Sequence, residues 1–154
     1  MIDKKPSLFE EIRHQCPDIP EDRIRMHLDR LDEPYFRYYN DADLICAHVR
    51  QMQSVTPDSP FVFSCEFKGE RRITCTILSF DYPALFSLIT GILAGMGVGI
   101  ESGAIFTYSE YRGEPPPGAR PKARRRVRAD GGAYRKKIID TFEGLLETKL
   151  PHAL

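Results

Sequence analysis

Between Asp81 and Glu101 run nineteen residues, Tyr82 to Ile100, without one charged side chain. Such a span must be kept from water, either in a folded core or in a bilayer, and the rest of the chain has to be arranged around that choice. Its length approaches that of a membrane-spanning helix, and Gly91, Gly95 and Gly99 repeat at the spacing by which such helices pack. Three features oppose a bilayer. Pro83 stands at one end, Gly95, Gly97 and Gly99 cluster at the other, and Asp81 and Glu101 flank the span tightly without a basic anchor or aromatic belt. Leu85, Leu88, Ile89, Ile92, Leu93 and Met96 fall at helical spacing for about three turns, after which the glycines end the pattern. The spacing predicts a buried helix over 83–95, a glycine turn and a new strand, with no membrane span.

The neighbouring segments supply a sheet for that helix. Phe61, Phe63, Cys65 and Phe67 alternate with Val62, Ser64, Glu66 and Lys68, and Ile73, Cys75 and Ile77 alternate with Thr74 and Thr76 across a Lys68-Gly69-Glu70 turn. Period-two alternation around a glycine turn predicts a hairpin over 61–80. Beyond the helix, Val98 to Tyr108 alternates again, so strand, helix and strand form a βαβ unit whose crossover is expected to be right-handed. Lys137 to Phe142 reads as a further short strand, and Leu145, Leu146 and Leu150 as the start of a helix that Pro151 ends.

The first 57 residues have a different texture, helical throughout. Leu8, Phe9 and Ile12 suit a short amphipathic helix over 7–15. Pro20-Glu21-Asp22 opens a second, with Ile24, Leu28 and Leu31 on one face. Asn40 resembles an N-cap with Asp43 in the first turn, and Leu44, Ile45, His48, Val49 and Met52 continue as an apolar stripe. The expected organisation is a helical segment over 1–57 followed by an α+β domain over 60–150.

Charge is distributed unevenly. Residues 1–111 carry 11 basic and 17 acidic side chains, whereas 112–137 carry 10 basic and 2 acidic. That basic block also holds Pro115-Pro116-Pro117-Gly118 and Gly131-Gly132, a composition that disfavours a packed element, so 112–133 reads as a flexible basic loop. Arg120, Lys122, Arg124, Arg125, Arg126 and Arg128 could hold phosphate backbones, but no aromatic residue between 112 and 133 offers a base a stacking platform. Binding of nucleic acid or an acidic partner through 120–137 is the alternative reading. The polar start, Met1-Ile2-Asp3-Lys4-Lys5, lacks the apolar stretch of a secretory leader, and four scattered cysteines suit reduced thiols. A cytoplasmic location is expected.

The run from Ile73 through Asp81-Tyr-Pro-Ala-Leu85 to Gly95-Met-Gly-Val-Gly-Ile100, with Phe106-Thr107-Tyr108 after it, resembles the first half of an ACT domain. In that family a strand ends in Asp-x-Pro-Gly-Leu, a helix follows, and a second strand opens after a glycine turn. Leu31-Asp-Glu-Pro-Tyr35-Phe36 and Asp41-Ala-Asp-Leu-Ile-Cys-Ala-His48 resemble the helical linker before the ACT repeats of PII uridylyltransferases, and Lys137 to Phe142 is similar to their third ACT strand. The resemblance covers about residues 24–146 apart from the basic loop. It implies a ferredoxin-like, antiparallel α+β sheet, here with an extra N-terminal hairpin strand and a preceding helical segment. It also implies a regulatory module that binds a small amino acid, glutamine in the uridylyltransferases, and pairs as a homodimer or with another ACT repeat.

By that resemblance the ligand sits at the turn Asp81, Tyr82, Pro83, Ala84 and Leu85, walled in by Gly97, Val98, Gly99 and Ile100 of a second subunit or repeat. Two departures bear on this. Ala84 stands where the family has glycine, and a Cβ restricts both positive φ and close ligand approach. The family's last helix and fourth strand have no counterpart after residue 146, so the strand at 61–67 is expected to lie antiparallel to 72–80 on the edge the fourth strand would take.

Catalytic motifs are wanting. Asp41-Ala42-Asp43 has the D-x-D spacing of nucleotidyltransferase metal sites but lacks an upstream Gly-Ser, and acids in a first helical turn are favoured by the helix dipole alone. There is no His-Asp dipeptide, Gly95-Met-Gly-Val-Gly99 closes a helix instead of opening one, and His27 and His48 fall within helical patterns. The chain therefore reads as non-catalytic, without metal or cofactor.

Overall fold

In a computed structural model the chain is described over residues 5–109 and 136–147. Four helices come first: α1 (Lys5–Gln15), α2 (Glu21–Arg30), α3 (Glu33–Tyr38) and α4 (Ala42–Ser54). The hairpin β1 (Phe61–Lys68) and β2 (Arg72–Phe80) follows, then α5 (Leu85–Gly95), β3 (Val98–Thr107) and β4 (Lys137–Leu146). The uncharged span thus breaks where its glycines stand. Gly97, at φ 79°, takes the left-handed conformation that lets the chain leave α5 and enter β3. No helix among the described residues is long and apolar enough to cross a membrane.

The described residues form an α+β fold with a four-stranded antiparallel sheet in the order β1-β2-β4-β3. β2 and β3, joined through α5, are not neighbours; β4 lies between them, antiparallel to both. As the alternation predicts, β1 pairs antiparallel with β2, Phe61 opposite Ser79 and Lys68 opposite Arg72, and occupies the sheet edge.

Each face of the sheet has its own core. On one, Leu78, Phe80, Ile139 and Tyr108 pack with Ile12, Ile24, Tyr35 and Ile45 of the helical segment, so residues 5–55 share a core with the sheet. On the other, Ile73, Ile77, Phe142 and Leu146 pack beneath Ile89 and Leu93 of α5. β4 is buried on both faces, and that explains one correction. Leu145 and Leu146 do not begin a helix; β4 continues through Leu146. A strand covered on both sides shows a near-continuous apolar run, which in a short stretch resembles a helix face. Gly144 permits the continuation, because a Cβ there would lie 2.5 Å from the Gly99 carbonyl oxygen.

Smaller corrections have equally local causes. The N-cap of α4 is Asp41, not Asn40: its carboxylate accepts the Asp43 N–H at 2.9 Å. The short α3, with Pro34 in its first turn, is a separate helix between the second and third helices that the sequence suggests. The four cysteines, read as free thiols, are paired as Cys16–Cys46 and Cys65–Cys75. The first pair joins α1 to α4 and the second joins directly opposed residues of the hairpin, juxtapositions that linear spacing hides. The basic loop at 112–133, with Arg120 to Arg128, and Leu150 lie outside the described residues.

Candidate functional site

The turn assigned to ligand binding, Asp81–Leu85, joins β2 to α5. The Asp81 N–H donates to the Lys136 carbonyl at 2.8 Å, and the Leu85 N–H to the Tyr82 carbonyl at 3.1 Å. Ala84 takes the left-handed conformation, φ 61°, in which glycine is strongly preferred. The turn therefore keeps a glycine-type backbone and adds a methyl group. Asp140 of β4, opposite Ile77 and so four positions before Asp81 along β2, is 2% exposed, with Oδ1 lacking any hydrogen-bond partner among the described residues. Burial, with Asp81 as the next contributor, pushes the Asp140 carboxyl up to about 6.

The other half of the predicted site is elsewhere. Phe80 pairs with Lys137 at one end of β4 and Val98 with Leu146 at the other, so Asp81–Leu85 and Gly97–Ile100 lie at opposite ends of the sheet. Within one chain they cannot enclose one small molecule. The backbone of the second group is also engaged: the Gly97 carbonyl accepts the Glu147 N–H at 2.8 Å, and Val98, Gly99 and Ile100 are in register with β4. These glycines serve a tight turn and close strand approach.

Between them, on the α5 side of the sheet, is an open apolar groove of about 430 Å³. Phe61 and Phe63 of β1 form one bank, Leu88, Ile92 and Met96 of α5 the other, and the described lining contains no charged residue. β1 places its phenylalanines on the face that α5 covers, but Ile89 and Leu93 of α5 pack on β2 and β4, leaving the β1 edge bare. Phe61, Leu88 and Met96 are 62%, 61% and 64% exposed.

On the helical side, sequence reasoning missed a buried polar chain. The Tyr108 hydroxyl meets His27 Nδ1, His27 Nε2 meets the Tyr35 hydroxyl at 3.0 Å, and Tyr35 meets His48 Nδ1 at 2.8 Å. Burial pushes His27 down to about 3 and His48 to about 4, so both imidazoles are neutral near pH 7. With neutral rings each nitrogen acts as donor or acceptor, and the chain is satisfied in either direction. It ties α2, α3 and α4 to the end of β3. The apolar setting of these histidines was legible in the sequence, but their partnership with Tyr108, 81 residues from His27, was not.

Below that chain a polar cleft of about 430 Å³ opens between the helices and the sheet, lined in part by Tyr38, Tyr39, Glu66, Lys68 and Glu143. The Tyr39 hydroxyl bonds Thr141 Oγ1, which in turn meets Thr76 Oγ1 at 3.2 Å. Ser102 Oγ donates to Glu143 at 3.4 Å, and His48, which also lines the cleft, has its Nδ1 engaged with Tyr35. Asp41 and Asp43 are spent on the start of α4, and no group of three or more His, Cys, Asp or Glu among the described residues could hold a metal ion. No protein-family model matches the chain, and no curated protein matches it.

Proposed function

We propose that this chain is a non-catalytic regulatory module of ferredoxin-like, ACT-type architecture that works by pairing with a second copy through the face formed by α5 and β1. The architectural part is supported by the position of β4 between β2 and β3, by β1 on the vacant edge, and by the glycine-type turn at Ala84. The single observation that carries the pairing is the bare apolar face. At ~200 Å² for a large side chain, the exposed fractions of Phe61, Phe63, Phe67, Leu88, Ile92 and Met96 leave about 680 Å² of apolar surface open. Isolated monomers rarely expose patches of that size, and a standard interface covers about 800 Å² per partner.

A second copy fits this face better than a charged partner does. The groove has no charged lining among the described residues, and beside it stands the ridge of Leu88, Ile92 and Met96. Ridge and groove side by side on one patch are what a two-fold interface uses, each copy's ridge entering the other's groove. Placing a charge in the centre of the patch tests the reading. Ile92→Glu and Leu88→Glu are expected to convert a dimer to a monomer on size-exclusion chromatography with light scattering, without loss of helical or sheet signal. A wild-type chain that is monomeric at high micromolar concentration overturns the pairing.

One observation favours the amino-acid-sensing reading as a second. The Oδ1 of buried Asp140, which has no partner among the described residues and whose carboxyl feels the charge of Asp81, is chemically suited to an ammonium group. Stabilisation of the wild-type chain by glutamine, lost in Asp140→Asn, supports that reading, and equal response of both chains refutes it.

A further inference from the structure

A third cavity, about 380 Å³, lies on the helical side of the sheet, away from α5 and independent of the pairing face. It is bounded by α2, the end of α4, and the points where β2 and β3 end and β4 begin. Three cations line it, Arg23, Arg30 and Lys137, and its described lining contains no carboxylate. The arrangement is unusual because like charges repel and are ordinarily kept apart or paired.

The geometry fixes two of these cations and leaves donors unused. The Lys137 ammonium is half-buried and donates to the Val55 carbonyl at 2.8 Å and the Met52 carbonyl at 3.2 Å, with the Phe80 ring 5.2 Å away. Two of its three protons are therefore taken and one remains. Arg30 donates through Nε to the Ser109 carbonyl at 2.9 Å and stacks over Tyr108 at 5.1 Å, which aligns the guanidinium and leaves its terminal amino groups without a bond among the described residues. The Arg23 side chain has, among the described residues, a single ion contact, 3.9 Å to Asp22, its neighbour in the chain. Burial, then the charges of Arg30 and Arg23, hold Lys137 below the usual lysine range, so the three charges act on one another.

Neutral groups complete the site. Gln53 offers an amide, and Met26, Val49 and Phe80 form an apolar wall. His27, at the base, is already bonded to Tyr108 and Tyr35 and contributes no charge. A site lined by three cations and no described carboxylate, with the Arg30 guanidinium held by Ser109 and Tyr108 and an apolar wall, matches a doubly charged oxyanion carried on a less polar body.

We propose that this cavity binds a small organic phosphate, its phosphoryl oxygens held by Arg30, Lys137 and Arg23 and its body against the Met26–Val49–Phe80 wall. The test is isothermal titration calorimetry of the full chain with adenosine 5′-monophosphate and with inorganic phosphate. Saturable binding of either probe is expected, weakened about ten- to a hundredfold by Arg30→Gln and again by Lys137→Gln, as loss of a charge-assisted hydrogen bond implies. Arg23→Gln, at a largely exposed position, serves if the more buried variants fail to fold. A second variant, Arg124→Gln with Arg125→Gln and Arg126→Gln, controls for the basic loop and is expected to keep the affinity within a few-fold. Absence of binding by both probes overturns the proposal. So does binding indifferent to Arg30→Gln and Arg23→Gln, or binding abolished by the loop variant.

Discussion

Replacing Asp140 by asparagine should alter stability with a sign that reverses with pH. The carboxyl lies in β4 opposite Ile77 on one strand and Ile105 on the other, 2% exposed, with one oxygen unpartnered among the described residues. Its folded-state value of about 6 exceeds the 3.8 of a free aspartate. Between these values the folded protein holds a proton that the unfolded chain has lost. The contribution of the group is therefore fully present below about pH 4 and lost as pH rises through about 6. At 1.36 kcal/mol per unit, ionised Asp140 costs about 3 kcal/mol at pH 8. Asparagine removes that cost but buries an amide with too few partners, a penalty of about 1 kcal/mol. Asp140→Asn should thus stabilise the fold by about 2 kcal/mol at pH 8 and destabilise it by about 1 kcal/mol at pH 4. Urea unfolding of both chains at pH 4, 6 and 8 measures this, and taking the difference at each pH cancels the histidines. A difference that does not vary with pH refutes the reasoning, because it leaves Asp140 with the same proton affinity in both states.

Three further outcomes follow from single residues. Ala84→Gly should stabilise the fold by up to about 1 kcal/mol in urea unfolding, since relief of the left-handed alanine outweighs the extra freedom glycine gives the unfolded chain. Gly144→Ala should destabilise by about 1–3 kcal/mol, because its methyl group meets the Gly99 carbonyl oxygen at 2.5 Å and β3 must shift away from β4; an unchanged denaturation midpoint contradicts that packing. In the Asp140→Asn background, stability should fall steadily as pH drops from about 6.5 towards 4 and 3. The unfolded chain there protonates His27 and His48, which burial keeps neutral in the fold, and a flat acid limb contradicts their burial.

How much of this was legible in the chain depended on the range of the interaction. The break in the uncharged span and the β1–β2 hairpin rest on neighbours within a few residues, Gly95 to Gly99 and the turn at Gly69, and local conformational preference settled both. The start of α4 was misplaced by one residue because Asn40 and Asp41 are both good caps, and only the bond to Asp43 separates them. The end of β4 was misread because Leu145 and Leu146 owe their strand geometry to pairing with Arg72, Gly99 and Val98, far away in sequence. The same holds for the candidate sites. The left-handed turn could be suspected from Ala84 standing where the turn it resembles has glycine. Nothing local, in contrast, joins Arg23 and Arg30 to Lys137, or His27 to Tyr108. The exposed side of β1 was hidden for a further reason: Phe61, Phe63 and Phe67 spell a buried face, and burial is what one copy of the chain does not provide for them.

Sedimentation equilibrium across a concentration series tests the pairing most directly. The account predicts a mass moving with concentration from the 17.6 kDa of one chain towards about twice that value, with Ile92→Glu held at the lower mass throughout. A wild-type chain that stays at the single-chain mass over the whole series, while remaining folded and unaggregated, contradicts it.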